Sequence, residues 1–289
     1  MSEKIKRLGK IAGSNYLYII WFVMNFLVCW RLFGGGLKFF FTLLVAYAIS
    51  IFVAVSPIGE TLFRFIESAR PVLTKQEREY LMPIFLDVYE TIKAQNPNIG
   101  EINLYIQDVM TVNAFAIGKH TVAVTKGAIE TFTPEELKGV LAHEFGHIVH
   151  GDTMALIINT VGNGIFSLVV FVLKIYLIII DLITNAIEEA VIFTVIYKFF
   201  RLIFEMLIVM FLFMGQAVLS VNSRQNEFDA DVFAYMSGYG AELVGALYLL
   251  QKMSLSEKMS IKKRLVATHP LFAWRINKIE ELIDNANNQ

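Results

Sequence analysis

Cysteine is almost missing: the 289-residue chain has one, Cys29, inside an apolar run. A disulfide framework is thereby excluded, and so is a zinc site built on paired cysteines. Any metal must be held by histidine and carboxylate, and histidine is itself scarce, with five in the chain. Charge is thin as well. Asp, Glu, Lys and Arg make up 18% of residues, against about 25% in soluble globular proteins. The net charge of −1 supplies no basic field, so nucleic acid is not an expected partner. Internal repeats and low-complexity tracts are absent. What fills the chain is apolar: 56% of residues are hydrophobic and the mean hydropathy is +0.56. That excess points to a lipid bilayer as partner and away from a soluble secreted protein.

A membrane helix needs about 20 mostly apolar residues. Four stretches reach or approach that length. Tyr16 to Phe33 is interrupted by Asn25 and Arg31, and Phe39 to Gly59 carries no charge. Thr153 to Leu173 is uncharged and continues past Lys174 to Ile180. Met206 to Asn222 is uncharged but follows Lys198, Arg201 and Glu205. No small-x-small cleavage site follows the first stretch, so it reads as an anchor rather than a signal peptide. Gly34-Gly35-Gly36 reads as the tip of a helical hairpin. Lys4, Lys6, Arg7 and Lys10 favour a cytoplasmic N-terminus. The expected organisation is a basic cytoplasmic tail (1–15), a transmembrane hairpin (16–59), a cytoplasmic part (60–152), a second transmembrane hairpin (153–222) and a cytoplasmic helical part (223–289). Both termini and both polar parts then lie on the cytoplasmic side of a multi-pass cell-membrane protein.

The first polar part predicts a helix from Thr74 to about Gln95 and a strand from Ile102 to Ile106. A hairpin is expected next, Val112 to Ile117 and Thr121 to Thr125 about a Gly118-Lys119 turn. Thr133-Pro134-Glu135-Glu136 opens a further helix, with Thr133 as N-cap, Pro134 at the first position and Glu136 closing a capping box. The last segment reads as helix, broken near Gly238-Tyr239-Gly240 and at His269-Pro270.

The helix opened at Thr133 carries His143-Glu144-Phe145-Gly146-His147. At i and i+4 both imidazoles project from one helix face and can reach one zinc ion, with Glu144 placed to hold a water beside it. A third ligand is needed. The register HExxHxxGxxH fails, because positions 150 and 153 are His150 and Thr153. His150 lies nearly two turns from His143, too far to share the ion. Asp152 is possible but stands where the chain enters the third span. Glu227 and Asp231, at i and i+4, offer a ligand and an acceptor for a ligand imidazole, with Arg224 one turn earlier able to orient Glu227. Topology favours Glu227: a membrane hairpin between His147 and Glu227 returns the chain to the same side.

These residues resemble those of the HtpX-type membrane zinc metalloproteases, in the broader family that includes the CAAX-prenyl endopeptidases. The likeness is carried by Asn113-Ala-Phe-Ala-Ile-Gly118, by His143 to His147 with Gly151-Asp152, by Arg224-x-x-Glu227-x-x-Ala230-Asp231, and by Thr268-His269-Pro270 with Arg275. The resemblance implies a mainly α membrane protein with four transmembrane helices and an α+β zincin-type, gluzincin-like catalytic domain bearing a small sheet. It implies one Zn²⁺ on His143, His147 and Glu227, with Glu144 as acid/base. Asn113, Ala114, Phe115 and Ala116 would form an edge strand for substrate. Arg275 and His269 would line the cleft, His269 being a candidate partner for the oxyanion. Asp152, Asp231, Arg224 and Arg275 would support the ligands. The implied function is endoproteolysis of damaged or misfolded membrane proteins. The competing readings are an intramembrane protease, disfavoured by Glu135, Glu136 and Lys138 ahead of the motif, and an inactive zinc-binding scaffold or transporter, which has no need of Glu144.

Overall fold

The computed structural model describes residues 15–32, 34–186, 191–254 and 272–287. Two long apolar helices form the first hairpin, α1 (Tyr16–Leu32) and α2 (Leu37–Ala54). Gly34 and Gly35 turn it at φ +85° and +68°, a region open to glycine at no steric cost. The second expected span runs to Gly59, but α2 ends at Ala54. The Ser56 side chain caps a new helix, α3 (Pro57–Ile66), and Pro57, which has no N–H, takes its first position.

The polar half is then built. A short strand, β1 (Ala69–Pro71), precedes α4 (Lys75–Gln95), whose Thr74–Glu77 capping box fixes its start. Strands β2 (Asn103–Gln107), β3 (Ala114–Ile117) and β4 (Thr121–Thr125) follow. The sheet order is β1-β2-β4-β3: β2 pairs parallel with β4, and the β3–β4 hairpin turns at Gly118 (φ +60°). Thus β3 is an edge. Thr125 caps α5 (Lys126–Thr131), and the Thr133–Glu136 capping box opens α6 (Pro134–His150).

Two long helices lead into the membrane and back, α7 (Asp152–Ala186) and α8 (Val191–Ala234). A π-helical turn at Tyr235–Tyr239, bent at Gly238 (φ +95°), leads into α9 (Gly240–Ser254), and α10 (Phe272–Asn287) closes the described chain. The expected break near Gly238 is this bend. At the expected boundary, Asn222, α8 continues as helix to Ala234.

The described residues form two large apolar clusters and a small third one about Ala54, Ile117 and Ile157. Leu81, Val88, Ile106, Val122, Val124, Leu141, Phe145, Leu247 and Ile279 join α4, the sheet, α6, α9 and α10. Each fully buried side chain of this size contributes roughly 1.5–3 kcal/mol. Cys29, Leu43, Tyr47, Phe166, Val170 and Ile208 join the four long apolar helices. The outer faces of those helices leave Leu168, Phe171, Phe199, Phe200 and Leu202 exposed, as lipid-facing residues are. Among the described residues, three helices are long and apolar enough to cross a membrane, within Leu37–Ala54, Asp152–Thr184 and Thr194–Ser254; Tyr16–Leu32 is a shorter apolar helix. α1 packs closely on its neighbours because glycine makes room: a Cβ on Gly215 would meet Trp21 at 2.0 Å, and one on Gly162 would meet Phe22 at 2.8 Å.

Candidate metal centre and active site

His143, Glu144 and His147 stand on α6, whose last residue is followed by Gly151 in the left-handed conformation (φ +81°). The Gly151 N–H bonds back to the carbonyls of His147 and Ile148 at 3.1 and 3.2 Å. This C-cap ends α6 and starts α7 in a new direction, which turns Asp152 toward His147. Gly146 lets α8 approach: a Cβ there would lie 3.1 Å from the Ala230 Cα. α8 brings Glu227 and Asp231 to the imidazoles.

Each imidazole is gripped by a carboxylate on its Nδ1. His143 Nδ1 lies 3.0 Å from Asp231 Oδ1, and His147 Nδ1 lies 2.9 Å from Asp152 Oδ2. Donation from Nδ1–H leaves Nε2 with its lone pair free for a ligand role. The two Nε2 atoms face the same third group: His143 Nε2 is 3.5 Å from Glu227 Oε2 and His147 Nε2 is 3.5 Å from Glu227 Oε1. One ligand atom from each of His143, His147 and Glu227 can be chosen so that all three lie within 4.8 Å of one another, close enough to surround one ion. Among the described residues, His143, His147 and Glu227 are the group able to hold a metal.

Arg275, from α10, closes the cluster. Its Nε and Nη2 donate to Asp231 Oδ2 and Oδ1 at 2.8 and 2.6 Å, and its Nη1 lies 2.9 Å from Glu227 Oε2. All of these groups are buried, with His147 half-buried. Burial and the Arg275 charge push the His143 pKa down, yet the Asp231 and Glu227 carboxylates outweigh them and hold it above its ordinary value. His147 is also buried, and its hydrogen bonds to Asp152 and Glu227 raise it well above the ordinary value. Burial would raise Asp231, but Arg275 and His143 hold its carboxyl below the usual range.

A cavity of about 150 Å³ opens on this centre, lined by Asn113, Ala114, His143, Glu144, Glu227 and Arg275 among others. Val112, Asn113 and Ala114, the run that leads into β3, form one wall. Thr125 pins the segment before that strand: its N–H donates to the Asn113 carbonyl at 3.0 Å and its hydroxyl accepts from the Asn113 N–H at 3.0 Å. Phe115 and Ala116 continue β3 in register with Ala123 and Val122.

Arg224 and the other described histidines fall elsewhere. Arg224 turns back along its own helix, donating from Nε to the Ser220 carbonyl at 3.2 Å; the guanidinium on Glu227 is that of Arg275. His150 packs edge-on against Phe233, and His120 lies against Glu60 at 3.1 Å. His269 lies outside the described residues. Sequence reasoning missed Asn15, which donates to the second oxygen of Asp152 at 3.2 Å. Nothing local marks it, since its partner is 137 residues away.

The sequence matches the family described as Peptidase family M48 over residues 75–283, more than two-thirds of the chain. The chain belongs to peptidase family M48. Among proteins similar to this M48 member, Protease HtpX of Psychrobacter sp. (strain PRwf-1) is 33% identical over 164 residues, covering 55% of this chain and 48% of that protein. Protease HtpX of Pseudomonas syringae pv. syringae (strain B728a) is 36% identical over 166 residues, covering 54% of this chain and 50% of the relative. The alignments thus span about half the length of these curated relatives. The crystal structure of S. mikatae Ste24p is similar in fold, with a TM-score of 0.51 at 17% identity over 96% of this chain and 66% of that one. M48 membership and the long apolar helices make this a membrane-associated member of a peptidase family.

Proposed function

We propose that this M48 member is a membrane-anchored zinc endopeptidase that hydrolyses peptide bonds in damaged or misfolded membrane proteins. The observation that carries the reading is the convergence of two carboxylate-held imidazoles on Glu227, beside Glu144 and an open strand edge. His143, His147 and Glu227 would hold the ion. Zinc bound there supplies Lewis acidity, polarising a carbonyl and making water acidic at neutral pH. Glu144, next to the ligands on α6, takes the proton of the attacking water and returns it to the departing amine nitrogen. The edge of β3 binds substrate backbone as an added strand, so the segment to be cut must be extended. Such a requirement selects unfolded chain. Asp152 and Asp231 keep each imidazole in the tautomer that presents Nε2, and Arg275 balances the carboxylates around the centre. The basic N-terminal tail supports a cytoplasmic face for the cleft.

The test is cleavage of casein by detergent-purified, zinc-loaded protein. Wild type is expected to cut and to stop on chelation, while Glu144→Gln keeps its zinc and loses activity by about 10²–10⁴-fold. Equal cutting by both proteins would remove Glu144 from the mechanism.

A further inference from the structure

The carboxylate behind His147 is itself held by Asn15, the residue that leads into α1. Asp152 presents Oδ2 to His147 Nδ1, and its Oδ1 accepts from the Asn15 amide at 3.2 Å. The Asn15 oxygen in turn accepts from Asn222 Nδ2 at 3.1 Å and from Asn226 Nδ2 at 3.0 Å, and Asn222 Nδ2 also reaches Asn226 Oδ1 at 3.3 Å. Asn15, Asp152, Asn222 and Asn226 are all buried. Their hydrogen bonds join the start of α1, the start of α7 and the α8 segment that ends at Glu227. The chain of contacts therefore runs from one metal ligand, His147, through Asp152 and Asn15, to the residue adjoining another, Glu227.

We propose that Asn15 is a positioning residue for the metal centre, by which α1 sets the aim of Asp152 and so of the His147 imidazole. The inference rests on the zinc reading above. Its amide is suited to the task, because one group must donate to a carboxylate oxygen and accept from two amides at once. A hydrophobic residue could fill the same space but would leave Oδ1 of Asp152 without this donor, buried at the foot of the bundle. Removing a group that supports a metal-ligating histidine costs 10–100-fold in metal affinity, about tenfold being expected at this further remove.

The experiment is chelator competition for zinc by detergent-purified full-length protein, with the thermal midpoint of the metal-free form measured beside it. Wild type is compared with Asn15→Ala, with Asn15→Asp and with Asn25→Ala. Asn15→Asp keeps the size and the acceptor but loses the donor. Asn25 lies on α1, where its amide reaches Asn163 Oδ1 at 3.2 Å in mid-span, away from the network. The expected result is zinc affinity weakened about tenfold in both Asn15 variants and unchanged in Asn25→Ala. Should Asn15→Ala fail to fold, Asn15→Asp alone carries the comparison. Asn15 variants that bind zinc like wild type overturn the proposal and leave the zinc reading standing. Equal weakening in Asn25→Ala overturns it too, since general loosening of α1 then explains the effect. A wild type that does not bind zinc overturns the zinc reading itself and this inference with it.

Discussion

Arg275 neutralises two buried carboxylates, Asp231 and Glu227, while being itself buried, 5% exposed as a residue. The arrangement puts a fixed cation beside the candidate metal site, so its removal should be felt most when no metal is present. Arg275→Met should destabilise the metal-free protein by about 3–5 kcal/mol, the cost of stranding one side of a buried ion pair. Added zinc should narrow the gap, because the ion replaces part of the missing positive charge. Thermal midpoints of both proteins with and without zinc check this, and an undiminished gap would contradict it. Single residues also show what could be read without the fold. His143, Glu144 and His147 declare themselves because i, i+4 on a helix is local geometry. Glu227 needs one further fact, that a membrane hairpin brings the chain back. The place of Arg275 on Asp231 is not legible, because the pair is 44 residues apart and no local pattern links them. Arg224 misleads for the same reason: nearness on a helix does not fix where a long side chain turns.

At the scale of elements, helices were the legible part. Thr74 and Thr133 with Glu77 and Glu136 announce two helix starts, and both capping boxes are formed. The strand β1 was not foreseen, since Ala-Arg-Pro has no strand pattern and owes its conformation to pairing with β2. Its anchor is ionic. Arg70 donates to Asp108 at 2.6 Å and to Glu77 at 2.6 Å, tying the sheet edge to α4. The hydrogen bond from Arg70 comes first among the causes that hold Glu77 down to about 2 and hold Asp108 well below the usual carboxylate range. Carboxyls with depressed values stabilise the fold above their unfolded values and lose that contribution as pH falls through the folded ones. The benefit of Arg70 is therefore full above about pH 4.5 and fades toward about pH 2. Urea midpoints of wild type and Arg70→Met should differ most at pH 7 and draw together as pH falls from about 4.5 toward about 2; a gap that does not shrink in acid would show that Arg70 acts through packing.

On the scale of the whole molecule, the apolar helices close at both ends. Asp152 and Asn222 meet at Asn15, while at the far end Arg201 pairs with Asp181 and the Tyr197 hydroxyl donates to the Leu177 carbonyl at 2.8 Å. Composition and run length made the bundle legible, but not its packing, because lipid-facing and partner-facing apolar residues look alike in sequence. Gly215 is the clearest case. It reads as a weak point in a helix, yet it accepts the Trp21 ring that joins α1 to α8. Gly215→Leu should drive the two helices apart and lower the thermal midpoint in detergent, whereas Gly164→Leu, where a Cβ meets nothing within 4 Å, should shift it little. Equal shifts would mean the small residue matters for helix flexibility and not for contact.

α8 is one unbroken helix of 44 residues, roughly 66 Å at 1.5 Å per residue, and it has an apolar end and an end that carries Glu227, the proposed ligand. Mechanically it is a shaft. Twist or tilt imposed by lipid at one end arrives at Glu227 with no joint to absorb it. On the proposed metal reading, linkage makes the traffic two-way, so an ion held at Glu227 would also still the shaft within the bilayer. On that reading, membrane thickness, which sets the tilt of such a rod, would bear on ion retention as well.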